Sequence, residues 1–184
     1  MTCILPTFRA ICARTPYRPK GIFYSEAFLF LKECDRRFVK QIIESGVKHG
    51  CSTALLAAAF EGPMISIDQT FSTRFAASAG VRLVRGDACV ELPRLLSART
   101  GQRVGVLIDG PKGAKALALK DVCLTFPCVQ VVGIHDLPRG RGETRHSHDW
   151  TFRDYYGREL DALMPAAMMT KYPYGPGLGI WERL

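Results

Sequence analysis

Residues 44–53 read Glu44-Ser45-Gly46-Val47-Lys48-His49-Gly50-Cys51-Ser52-Thr53, and the fold turns on how this stretch is read. Before it, Phe38 to Glu44 is predicted as a strand that ends in a carboxylate. After it, Thr53 to Phe60 is predicted as a helix stopped by Gly62-Pro63. Strand, glycine-bearing turn and helix in that order begin a β-α unit. Gly46 and Gly50 let the backbone pass close to a ligand, and Ser52 with the helix N-terminus offers donors to a carboxylate. A dinucleotide fingerprint would place glycine at 46, 48 and 51. Lys48 and Cys51 stand at two of those positions, which argues against NAD.

The same alternation continues outward. Met64 to Ile67 is a short buried strand closed by Asp68, and Thr70 to Ala79 a helix with Gly80 behind it. Val81 to Arg85 is a third strand, followed by Gly86-Asp87 and a helix carrying Leu92, Leu95 and Leu96. Val104 to Ile108 is a continuous apolar run, as expected of a strand covered on both faces, and it ends in Asp109-Gly110-Pro111-Lys112-Gly113. A helix through Ala116, Leu117, Leu119 and Val122 leads to a fifth strand, Val129 to Ile134, which ends in His135-Asp136. On the N-terminal side, Ser25 and Glu26 open a helix that runs to Arg36. Near the end, a helix around residues 158–163 precedes two runs, Ala167 to Tyr172 and Leu178 to Glu182. The five residues that join them are too few for a crossover, so these two strands are antiparallel neighbours. The expected fold is α/β: a Rossmann-like three-layer sandwich, its sheet mostly parallel and ending in an antiparallel hairpin.

Composition sets the bounds. The chain has 184 residues, enough for one domain with short appendages. Residues 25–184 are expected to form that domain and residues 1–24 an N-terminal arm. Arg9, Arg14, Arg18 and Lys20 meet no acid in the arm, while Pro6, Pro16 and Pro19 spoil the amphipathic helix of a transit peptide, so a solvated arm is the preferred reading over a targeting segment. No apolar stretch approaches the roughly 18–20 residues of a membrane helix, and the chain is read as soluble, with no membrane partner. Seven scattered cysteines, with no C-x-x-C pair, fit reduced thiols in a cytoplasmic setting. The formal charge of +8 favours acidic partners, but the cations are spread along the sequence, so nucleic acid is not the expected partner. A homo-oligomer is compatible with everything above.

In an open α/β sheet, ligands bind beyond the carboxyl ends of the strands. Here five such ends carry Glu44, Asp68, Asp87, Asp109 and the pair His135-Asp136, which points to one shared crevice. Each residue also has a plain reading. Glu44 can cap the loop, Asp68 can sit in a surface turn, Asp87 can be a helix N-cap, Lys112 can be solvated and His135 can be satisfied by backbone. His146-Ser147-His148-Asp149 lacks a third spaced ligand and is not expected to hold a metal.

Taken in order, Glu-x-Gly-x-x-x-Gly-x-Ser-Thr, an acid ending the second strand, Gly-Asp-Ala after the third and an acid ending the fourth resemble the class I S-adenosylmethionine-dependent methyltransferases. The likeness is greatest to small O-methyltransferase-type members, and it covers about residues 25–184. It implies S-adenosylmethionine as cofactor. Glu44, Gly46, Gly50 and Ser52 would lie at its methionine part, and Asp68 would accept from both ribose hydroxyls. Asp87 and Ala88 would lie at the adenine, and Asp109 at the methionine amine or the acceptor. Lys48 and His49 make the first loop bulkier and more cationic than in many such proteins. For the acceptor side, His135 or Asp136 is the candidate base, with Lys112 balancing the negative charge. The alternative is Mg²⁺ held by Asp109 and Asp136. Gly110 and Leu137 stand where metal-dependent members offer a further oxygen ligand. The expected reaction is methyl transfer to a small-molecule hydroxyl or amine. Residues 137–156 would form part of a lid whose Arg139, Arg141 and Arg145 suit an anionic acceptor. Tyr172 and Tyr174 are further candidates for the acceptor wall. The rival readings are an NAD-dependent oxidoreductase on a related fold and a non-catalytic basic nucleic-acid-binding module.

Overall fold

The structure is a computed structural model; it describes residues 5–15, 21–71, 80–137, 160, 162–165 and 177–183. In chain order the elements are α1 (Leu5–Arg14), α2 (Tyr24–Arg36), β1 (Gln41–Ser45), α3 (Cys51–Ala59), β2 (Met64–Asp68), β3 (Val81–Arg85), α4 (Ala88–Ser97), β4 (Val104–Ile108), α5 (Ala114–Thr125), β5 (Val129–Leu137) and β6 (Gly177–Glu182). The strands form one sheet in the order β3-β2-β1-β4-β5-β6. β1 to β5 run parallel, and β6 lies antiparallel to β5, with Val132 opposite Trp181 and Ile134 opposite Gly179.

The apolar strand runs explain this layering. β4 is buried along its whole length, and the core divides into two clusters. One gathers Phe28, Phe30, Leu56 and Leu107 with α1, α2 and α3; the other gathers Ile67, Leu92, Val106 and Leu119 with α4 and α5. Successive residues of a strand face opposite sides, so Val106 and Leu107 fall into different clusters. This is the expected three-layer sandwich.

Several local expectations are corrected. The first residues are not a solvated arm throughout: Leu5–Arg14 is a helix, with Phe8 and Cys12 buried. Pro6 stands at the second position of this helix, where its missing N–H removes no intrahelical bond. α1 lies against α2, with the Phe8 and Phe28 rings 5.2 Å apart, and the Tyr24 hydroxyl donates to the Thr15 carbonyl at 2.8 Å. A solvated arm would leave that face of α2 exposed. β1 begins at Gln41 and not at Phe38, because Phe38 takes a left-handed φ of 53° after α2 and remains exposed. α3 begins at Cys51, two residues earlier than expected, and β5 runs on through His135 and Asp136 to Leu137. Most of the helix expected over Thr70–Ala79, half of the one near residues 158–163, the run Ala167–Tyr172, nearly all of the lid segment, His146, His148, Tyr172 and Tyr174 lie outside the described residues. No described helix is long and apolar enough to cross a membrane.

Candidate active site

Strand order reverses between β1 and β4, and the turns that leave these two strands meet there. Gly46 has φ +90°, and a Cβ on it would stand 2.3 Å from Gly110 N. Glycine is therefore required where the two turns touch. Beside this contact opens a cleft of about 1170 Å³ along the carboxyl ends of the strands. Of the candidates, Gly46, Ser52, Asp68, Asp87, Ala88, Asp109, Lys112, His135 and Asp136 line it. Glu44 and Gly50 do not line it.

Glu44 sits beneath the first loop, fully buried. Its Oε2 accepts from Thr53 Oγ1 at 2.5 Å and from Ser66 Oγ at 2.9 Å, and Oε1 has no hydrogen-bond partner. Burial pushes its carboxyl up to about 7, and the Thr53 and Ser66 hydroxyls pull against that rise. Any influence on a ligand passes through β1 and α3. Gly50 acts on backbone shape: at φ 73° it caps the N-terminus of α3. Ser52 lines the cleft and its Oγ accepts from Ile22 N at 3.0 Å, which draws the segment before α2 to the cleft wall.

At the β2–β3 side, Asp68 Oδ2 accepts from the N–H groups of Val47 and Lys48, each at 2.7 Å, and Oδ1 accepts from Thr70 N at 3.0 Å. Asp87 is the N-cap of α4, accepting from Cys89 N at 2.8 Å, and also lines the cleft. Its cap role and its place in the cleft are compatible, because the cap uses Oδ1 and the longer 3.4 Å contact from Gln69 falls on Oδ2.

At the β4–β5 side the acids converge on a lysine. Lys112 Nζ donates to Asp109 Oδ1 at 2.5 Å and to Asp136 Oδ2 at 2.7 Å. Asp136 has a left-handed φ of 64° beside the register shift of β5 against β6, an uncommon conformation for a non-glycine residue. His135 Nε2 lies 3.3 Å from Asp136 Oδ1, and its Nδ1 lies 3.3 Å from Glu26 Oε2. Burial alone would lower the His135 pKa, but Glu26, Asp109 and Asp136 outweigh it and raise it to about 9. The three carboxylates thus favour the protonated form of His135 over the neutral one. Burial raises Asp109 above the usual carboxylate range, whereas His135 and Lys112 overcome burial at Asp136 and hold it below. Lys112 is likewise raised, because Asp109 and Asp136 outweigh its burial.

Glu26, which stands against His135, was not among the candidates from the sequence. It is buried on α2, and its Oε2 also accepts from Phe23 N at 3.2 Å. The signal was an acid at the head of the apolar part of α2, and a helix-capping role explained it away.

The ligand atoms of Asp109, His135 and Asp136 lie within 4.8 Å of one another, close enough to reach one ion. As the side chains stand, they fit the Lys112 ammonium and not a resident divalent ion. Lys112 bridges the two carboxylates, and Gly110 and Leu137 add no side-chain oxygen. A divalent ion would have to displace Lys112.

Comparison of the sequence with protein-family models and with curated proteins finds no match. Solved structures do resemble it. The S-adenosylhomocysteine-bound methyltransferase PaMTH1 of Podospora anserina matches at TM-score 0.51 and 14% identity, covering 98% of this chain and 87% of its own. A candidate O-methyltransferase from Klebsiella pneumoniae matches at TM-score 0.54 and 16% identity, covering 98% of this chain and 90% of its own. The fold is that of the class I S-adenosylmethionine-dependent methyltransferases.

Proposed function

We propose that this chain is an S-adenosylmethionine-dependent methyltransferase acting on the hydroxyl or amine of a small molecule. The observation that carries the reading is the division of one cleft across the switch point. Asp68, Asp87 and Ala88 line one side, and the Asp109–Lys112–Asp136 cluster lines the other. The glycine contact at Gly46 and Gly110 lets the turns after β1 and β4 meet at the edge of the cleft, and hydrogen-bond acceptors for a nucleoside lie on the β2–β3 side. The S-adenosylhomocysteine-bound methyltransferase that shares the fold supports the same cofactor.

When bound, S-adenosylmethionine supplies an electrophilic methyl group together with its leaving group. The chain then has to align an acceptor and, for a hydroxyl, take up its proton. Asp109 is the stronger base of the two carboxylates because burial raises it. Asp136 stays ionised and binds. Lys112 offsets their charge and stabilises negative charge on the acceptor oxygen. His135, held by Glu26, orients Asp136. Lys48, Lys112 and Lys115 on the cleft wall support an anionic acceptor.

The test is transfer of label from methyl-labelled S-adenosylmethionine to panels of phenols, carboxylate-bearing alcohols and amines, after exhaustive chelation and again after Mg²⁺ add-back. Chelation-resistant turnover supports the lysine-centred site. Loss with full recovery on Mg²⁺ removes it in favour of the ion, and labelling of no acceptor in either condition counts against methyl transfer.

A further inference from the structure

The first loop is conformationally expensive. Gly46, Lys48 and Gly50 have φ of 90°, 48° and 73°, three left-handed residues within five positions, and Lys48 lacks the freedom of glycine. Such a conformation persists where surrounding contacts over-determine it. β2 supplies those contacts. Its Ile67 carbonyl accepts from Gly46 N at 2.9 Å, and its last side chain, Asp68, accepts from both of the next two amides through Oδ2. An ionised carboxylate offers about four acceptor positions. The two loop amides and Thr70 N take three of them, so a position for one ribose hydroxyl remains on Oδ1, and not for both.

We propose that Asp68 is a positioning residue for the first loop as well as a ribose ligand, so that one carboxylate couples recognition of the nucleoside to the shape of the loop facing the cofactor's amino-acid end. The loop latch stands on the contacts alone; the ribose half rests on the cofactor reading. In a site without this coupling, losing Asp68 would affect only ligands that carry ribose hydroxyls. Here it disturbs the loop whatever the sugar.

Two measurements test this. The first is amide hydrogen exchange by NMR in the ligand-free protein. In Asp68→Ala, Val47 and Lys48 should exchange about tenfold faster or more, while Val106 in β4 is unchanged; equal rates at 47 and 48 would overturn the latch. Asp68→Asn, close in shape and retaining one acceptor oxygen, should fall between and serves if the alanine variant does not fold. The second is calorimetric binding of S-adenosylhomocysteine and of its 2′,3′-dideoxy analogue. Asp68→Ala should weaken the dideoxy analogue by about tenfold as well. If it binds that analogue as well as the wild type does, Asp68 is a ribose ligand only and the coupling is wrong. Should the wild type bind neither compound, the cofactor reading fails, and the exchange rates still decide the latch.

Discussion

His135 is held among three carboxylates, and Glu44 is sealed under the first loop; both placements make stability depend on pH. The His135 pKa is about 9 in the folded chain against 6.5 for the free side chain, so its contribution is full below pH 6.5 and is lost as pH rises through 9. Glu44, at about 7 against 4.5, acts in the same direction: its contribution is full below pH 4.5 and lost as pH rises through 7. Urea unfolding should therefore show stability falling from pH 6.5 to 9, and His135→Gln should flatten the upper part of that fall. A wild-type profile that rises between pH 6.5 and 9 would contradict the placement of His135, and one that rises between pH 4.5 and 7 would contradict that of Glu44. Lys112 makes the catalytic counterpart. Lys112→Met leaves Asp109 and Asp136 facing each other without their cation, so kcat/KM should drop by about 10²–10⁴-fold. Affinity for S-adenosylhomocysteine should change far less, because the proposed function puts Lys112 on the acceptor side. Most of these residues were legible in the sequence, since an acid directly after an apolar run marks a strand end. Glu26 was not, because its partner His135 lies far away in the chain and only packing of α2 against β5 joins them. The upward pull on the His135 pKa was equally hidden, because it comes from Glu26, Asp109 and Asp136, which only the fold brings together.

At the scale of elements, the departures trace to local signals read without their packing. Three prolines in the first twenty residues spoke against a helix, yet Pro6 falls in the first turn of α1 and Pro16 lies beyond its end. Phe8→Ala should accordingly cost about 3–5 kcal/mol in urea unfolding. Arg14→Ala, on the exposed side of the same helix, should stay within about 0.5 kcal/mol. Equal, small effects would restore the solvated arm. The meeting of the β1 and β4 turns is a sharper case. Gly46→Ala places a methyl 2.3 Å from Gly110 N in a conformation that disfavours side chains. Destabilisation and a more than tenfold loss of S-adenosylhomocysteine binding are expected, read by melting temperature and calorimetry. The need for glycine at 46 was legible as a turn; its opposite number at 110 was read only as part of a turn, because nothing in the sequence tells which loops touch.

For the molecule as a whole, strand and helix alternation was enough to give a parallel sheet with an antiparallel strand at its end. The observed antiparallel pair is β5 with β6, while the hairpin partner read from the short link, Ala167–Tyr172, lies outside the described residues. What alternation could not give was strand order, which sets β1 beside β4 and so opens the cleft where Gly46 meets Gly110. That placement brings acids from β2, β4 and β5 and the N-cap of α4 to one edge, and the central claim is that this edge binds S-adenosylmethionine. Titration calorimetry of the full chain with S-adenosylmethionine, S-adenosylhomocysteine and NAD measures it most directly. One site per chain is expected for the first two, each displacing the other, and no heat from NAD. Binding of NAD, or of neither adenosyl compound, would contradict it.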